Sequence, residues 1–79
     1  MNIERALRIK RGERVACPPD RGDKGYMGEV VHTSPIIATN RDGTEYIWIQ
    51  VQHPDGHKSV WPSNRLGTTM GELREACVA

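Results

Sequence analysis

Five side chains in this sequence of 79 residues could bind a soft or borderline metal or act as a nucleophile: Cys17, His32, His53, His57 and Cys77. A closed structural zinc site needs four well-placed nitrogen or sulfur ligands. The two cysteines lie far apart in the chain and share no Cys-x-x-Cys spacing. His53 and His57 flank Pro54-Asp55-Gly56, so they can approach across a turn, but no cysteine pair completes the set. The reading is therefore two solvated histidines at a turn, with no metal site. Cys17 paired with a histidine could be a catalytic couple. It falls on an inward-facing strand position, however, where a buried thiol is inert. The glycine-rich stretch Arg21-Gly22-Asp23-Lys24-Gly25-Tyr26-Met27-Gly28 leads into a strand, so it offers no helix N-terminus to a phosphate. Its Arg-Gly-Asp tripeptide is read as coincidence. No enzyme and no cofactor are expected.

The chemistry that remains is recognition. The chain has two tryptophans, two tyrosines and no phenylalanine. In Tyr46-Ile47-Trp48-Ile49-Gln50-Val51-Gln52 the apolar residues alternate strictly, so Ile47, Ile49 and Val51 take one face. Tyr46, Trp48, Gln50 and Gln52 take the other, near water. Lys58 and Arg65 flank this face, and Tyr26 and Trp61 are further aromatic candidates. The expected binding surface is Tyr26, Tyr46, Trp48, Gln50, Lys58, Trp61 and Arg65. Exposed tryptophan and tyrosine beside arginine suit the centre of a protein contact. They also suit stacking on single-stranded bases, with basic residues on the backbone. The first reading is thus a protein-interaction or regulatory accessory module that binds a protein partner or its own copy. The alternative is a nucleic-acid-binding barrel.

Charge bears on this choice. The formal net charge is +1. Residues 1–25 carry seven basic and four acidic side chains, and the remainder four basic and six acidic. The near-neutral total favours a protein partner. The basic first third, with Arg5, Arg8, Lys10 and Arg11, would steer toward phosphate.

The elements that must hold this surface are short. Asn2 can cap a helix in which Ile3, Ala6 and Leu7 share a face. Gly12 to Cys17 reads as a strand ended by Pro18-Pro19, with Val15 and Cys17 pointing inward. Met27 to Ser34 reads as a second strand, with Val30 or Val31 inside. Ile36 and Ile37 are too apolar for a free loop and are expected to extend a strand. Asn40-Arg41-Asp42-Gly43 and His53-Pro54-Asp55-Gly56-His57 carry turn chemistry. Pairing Gln52 with His57 or Lys58 places Trp48 opposite Trp61 or Pro62. Val60 is expected to continue the inward pattern, which sends Trp61 outward beside Trp48 and Tyr46. The other possibility is that Trp61 caps the rim beneath a terminal helix. Pro62 to Arg65 fits one 3₁₀ turn, after which Leu66 plugs the open end. Thr69 and Glu72 have capping-box spacing for a short C-terminal helix carrying Met70, Leu73 and Cys77.

Short strands, glycine-bearing turns and no long helix predict a mainly β, five-stranded antiparallel barrel. Residues 1–79 form one domain, with the barrel core at about 12–66 and short helical termini. Gly12 to Val15, Gly28 to Val31, Tyr46 to Val60 and Ser63 to Leu66 resemble the Src-homology-3-like small barrels, including the KOW and Tudor-like groups. The resemblance implies the fold more than the function, since such barrels host many functions. Stand-alone barrels of this size are common among phage and plasmid accessory proteins. Gly12-Glu13-Arg14-Val15 and Ser59-Val60 are also similar to pieces of the plasmid-borne, trimethoprim-insensitive dihydrofolate reductases. Those enzymes follow the serine with a Val-Gln-Ile-Tyr run that binds substrate. Here Val60, Trp61, Pro62 and Ser63 stand in its place, so the activity does not carry over. With free thiols, no secretory apolar segment and no membrane-spanning run, a cytoplasmic protein is expected.

Overall fold

The computed structural model describes residues 1–19, 24–69 and 71. The chain opens with helix α1, Ile3–Arg8. Asn2 caps it as expected, its side chain accepting from the Arg5 N–H at 2.9 Å. A helix of six residues is not stable alone and survives by docking. α1 rests against Glu45–Tyr46 and the 3₁₀ turn Ser63–Arg65, with Ala6 buried. The Met1 ammonium donates to the carbonyls of Ser63 and Leu66 and pins the start of the chain there. Leu7 does not join the buried face; it is exposed.

Six strands follow among the described residues: β1 (Arg14–Cys17), β2 (Tyr26–Thr33), β3 (Ala38–Thr39), β4 (Glu45–Tyr46), β5 (Trp48–Gln52) and β6 (Lys58–Pro62). They form a four-stranded antiparallel sheet in the order β1-β2-β5-β6 and a two-stranded ribbon, β3-β4. This is mainly β, as expected. The named strands do not close into a five-stranded barrel. One further link exists beyond them. Ala16 and Gly67 exchange both backbone hydrogen bonds, at 2.8 and 3.1 Å, which brings the chain after β6 back to β1.

Val15, Cys17, Val30, Ile47, Ile49, Val51, Trp61 and Leu66 pack together, joined by Ala6. Gly28 is required where β2 crosses β5, because a Cβ there would lie 2.1 Å from Val51 Cγ1. The β2–β5 register shifts between Val30 and His32, and Val31 at that irregularity is half-buried. Ile36 and Ile37 do not extend a strand. They lie in the connection before β3, both exposed. The expected C-terminal helix, with Met70, Leu73 and Cys77, lies outside the described residues.

The largest departure concerns β6. Val60 is 57% exposed and Trp61 only 8%. The register explains the reversal. Gln52 pairs with Lys58, so Gln50 faces Val60 and Ile49 faces Trp61. Directly opposed residues of an antiparallel pair share a face. Trp61 must therefore enter the core beside Ile49, and Val60 must leave it beside Gln50.

The 3₁₀ turn Ser63–Arg65 and the buried Leu66 are as expected. Ser63 has a role that its type did not announce. It is fully buried, its N–H donates to the Ile47 carbonyl at 2.8 Å, and its Oγ accepts from the Ile47 N–H at 3.0 Å. Ile47 stands between β4 and β5, where the ladder breaks, and Ser63 satisfies both of its backbone groups.

Candidate functional site

The outer face of the sheet is built in rows across the strands. At one end Arg14 lies opposite Glu29, Glu29 opposite Gln52, and Gln52 opposite Lys58. In the middle, His32, Gln50 and Val60 align. At the far end Trp48 lies opposite Pro62, and the Ser34 N–H donates to the Trp48 carbonyl at 2.9 Å. The face thus grades from charged to apolar.

Trp48 is 45% exposed. Tyr46 meets it edge to face, with ring centroids 5.5 Å apart at 87°. This geometry suits aromatic quadrupoles and fixes both rings. The chain carrying Ile36 and Ile37 leaves the sheet beside Trp48, through Ser34, and returns beside Tyr46, through the Ala38–Tyr46 pair. Ile36 is 73% exposed. Among the described residues, the exposed large hydrophobics are Leu7, Ile36, Ile37, Trp48 and Val60; Trp48 stands at this end, Ile36 and Ile37 in the connection that leaves it, and Val60 in the middle row.

Of the expected surface, Tyr46, Trp48 and Gln50 come together here. Lys58 is exposed at the charged end. Trp61 and Tyr26 do not belong to the surface. Trp61 is core, and its Nε1–H donates to the Tyr26 hydroxyl at 3.1 Å. Tyr26 is half-buried against the core, and burial raises its hydroxyl pKa above the ordinary value. Arg65 is spent on Trp61, its guanidinium carbon 5.3 Å from the ring centroid. The expected pair of tryptophans side by side is therefore absent: they take opposite faces. Cys17 is buried and free, and burial raises its thiol pKa. The burial is what its inward-facing strand position predicted. No family model, curated protein or solved structure matches the chain.

Sequence reasoning missed Val60, Ile36 and Ile37. The signal for the isoleucines was their setting between Pro35 and the Asn40 turn, too short a span for a strand with a buried face. It also missed a convergence at the β5–β6 hairpin. There Asp55 Oδ1 lies 3.1 Å from His53 Nδ1 and 2.5 Å from His57 Nδ1. His32 is not part of this group; it pairs with Gln50 in the middle of the face. A polar cleft of about 180 Å³, lined by Arg14, Met27, Glu29, Gln52, His53 and Pro54, adjoins the hairpin at the charged end. Among the described residues no helix is long and apolar enough to cross a membrane.

Proposed function

We propose that this chain is a non-enzymatic binding module that holds a protein partner on the apolar end of its outer sheet face. A second copy of the chain is the first partner to test. The observation that carries this reading is exposed Trp48, braced edge to face by Tyr46, with exposed Val60 in the next row of the same sheet face and exposed Ile36 and Ile37 in the connection beside it. An apolar patch of this kind on a small protein marks a contact site. A net charge of +1 lets two copies meet without strong repulsion.

The fold assigned to this module is the Src-homology-3-like barrel. The β1-β2-β5-β6 ladder supports it, as do the 3₁₀ turn after β6 and the Ala16–Gly67 bridge, which stands where a fifth strand would close on β1. A second reading, nucleic-acid binding, is favoured by exposed Arg5, Arg8, Lys10, Arg11 and Arg14.

Light scattering across a concentration series tests the first reading. The wild-type chain should gain mass as concentration rises. Trp48→Ala should stay at monomer mass while keeping the circular dichroism of a folded sheet. A wild-type chain that remains monomeric throughout counts against self-association. Titration with a labelled single-stranded oligonucleotide then decides the second reading, through the steep fall of affinity with salt that phosphate contacts impose.

A further inference from the structure

The β3–β4 and β5–β6 hairpins are built on one plan, Xaa-Xaa-Asp-Gly-Xaa. In the first, the Asn40 N–H donates to the Thr44 carbonyl at 2.9 Å and the Gly43 N–H to the Asn40 carbonyl at 3.0 Å. In the second, the His53 N–H donates to the His57 carbonyl at 2.7 Å and the Gly56 N–H to the His53 carbonyl at 2.9 Å. Asp42 Oδ1 accepts from the Thr44 N–H at 2.9 Å, and Asp55 Oδ1 from the His57 N–H at 3.0 Å. Gly43 and Gly56 sit at φ of 90° and 104°, which glycine alone adopts freely. The turn itself accounts for aspartate and glycine in both hairpins. His53 also serves the turn, its Nδ1 accepting from the Asp55 N–H at 3.1 Å, whereas the polar contact of the His57 ring is with the Asp55 carboxylate; asparagine and threonine fill the same two positions in the first.

We propose that His53, Asp55 and His57 form a binding site for a borderline divalent cation, zinc in the first instance. Each residue offers one ligand atom, and these atoms lie within 4.8 Å of one another. A tetrahedral zinc ion with bonds of about 2.0–2.2 Å needs ligand atoms roughly 3.3 Å apart, a spacing that side-chain rotation about the turn can reach. The two imidazoles are stacked, with centroids 4.5 Å apart and planes at 17°, so the more exposed His57 ring must turn out of the stack for both in-plane lone pairs to converge on one ion. His53 is already ordered, half-buried with its ring 4.1 Å from that of Tyr26. Asp55 Oδ1 holds the turn, but a carboxylate has a second oxygen to offer. Two imidazole nitrogens and one carboxylate oxygen suit zinc or copper better than calcium or magnesium, which take oxygen ligands. Three ligands leave a fourth position for water. The site is open and its aspartate exposed, so binding is expected to be weaker than at a closed four-ligand site. A bound ion ties the end of β5 to the start of β6 and so fixes the Gln52–Lys58 register.

The test is calorimetric titration of the tag-free full chain, carrying Cys77→Ser, with zinc chloride. One zinc per chain should bind with micromolar affinity. His53→Gln and His57→Gln should each weaken it by about tenfold or more, a loss of about 1.4 kcal/mol per tenfold. His32→Gln should leave it unchanged. His57 is exposed, so its variant should fold, and circular dichroism checks that it does. The sister hairpin supplies a gain-of-function arm: Asn40→His with Thr44→His should raise the stoichiometry from one zinc to two. Four results would overturn the proposal: no saturable uptake below millimolar zinc, uptake that survives His57→Gln, one zinc shared by two chains, or a grafted hairpin that binds none.

Discussion

On the inner face of the β5–β6 ribbon Ile49 lies opposite Trp61, and on the outer face Trp48 lies opposite Pro62 and Gln50 opposite Val60. Each face holds one tryptophan and at least one branched aliphatic residue. Hydropathy alone does not distinguish them. What distinguishes them is closure. The inner face meets Val15, Val30 and Leu66, and its tryptophan satisfies its indole N–H on Tyr26. The outer face has no such cover among the described residues, and Trp48 keeps 45% of its surface exposed. One amphipathic ribbon thus presents similar side chains as core on one side and as contact surface on the other.

The largest effect should come from breaking that comparison at its tryptophans. Trp61→Ala should cost about 3–5 kcal/mol, as deletion of a buried aromatic does. For a domain this small that approaches the whole folding free energy. Trp48→Ala should cost only about 1 kcal/mol, chiefly the lost edge-to-face contact with Tyr46. Urea unfolding of the two variants measures both. Equal losses would mean that Trp48 is core, and the contact surface would lose its centre.

The strand Trp48–Gln52 was legible because strict alternation admits one phase only, and Ile49 and Val51 are buried where that phase puts them. The two hairpin turns and the Asn2 cap were legible for a similar reason: aspartate, glycine and asparagine serve the backbone locally. The phase of β6 was not. Val60 and Trp61 are adjacent and both apolar, so β6 taken alone supports either phase. The five-residue turn decides it by counting: Gln52 against Lys58 puts Ile49 against Trp61. That register was among those the sequence allowed. The misreading came from giving Val60 priority on hydropathy. The metal-type cluster was missed because the histidines were weighed against absent cysteines, and Asp55 between them was counted only as a turn former.

Gly28 offers a second way to break the inner face without touching an apolar side chain. In β2 it lies beside Val51, with the Gln52 carbonyl and the Tyr26 ring 3.1 Å from where a Cβ would stand. Gly28→Ala overpacks this crossing and should destabilise the fold by about 1–3 kcal/mol. The loss should appear as a lower urea midpoint, and Val51→Ala in the same chain should restore part of it by removing the clash at Cγ1. If Gly28→Ala is neutral, β2 and β5 are not packed as closely as described, and the sharp division between the two faces weakens with them.

The smallest effect concerns the turn that holds the register. A slip by one residue would exchange Trp61 for Val60 on the core side, so whatever steadies residues 53–57 keeps the two faces distinct. The His57 backbone N–H, donating to Asp55, holds that carboxyl below its ordinary value of 3.8, and the nearby His53 and His57 charges add to the effect. Asp42 is lowered as well, chiefly by the Thr44 backbone N–H, but without histidine neighbours. A carboxyl with a depressed folded-state value contributes stability above its unfolded value and loses it as pH falls through the folded one. The contribution of Asp55 is therefore present at neutral pH and fades below about pH 4. Asp55→Asn should lower the urea midpoint slightly at about pH 6 and not at about pH 2. Asp42→Asn should show the same sign and the same window. Salt separates the two. The part of Asp55's effect that comes from the histidine charges is screened, whereas a hydrogen bond to a backbone N–H is not. Raising the ionic strength should therefore shrink the Asp55→Asn difference more than the Asp42→Asn difference. Identical salt responses would mean that the histidines are electrostatically idle at this turn, and that the two hairpins differ in sequence only.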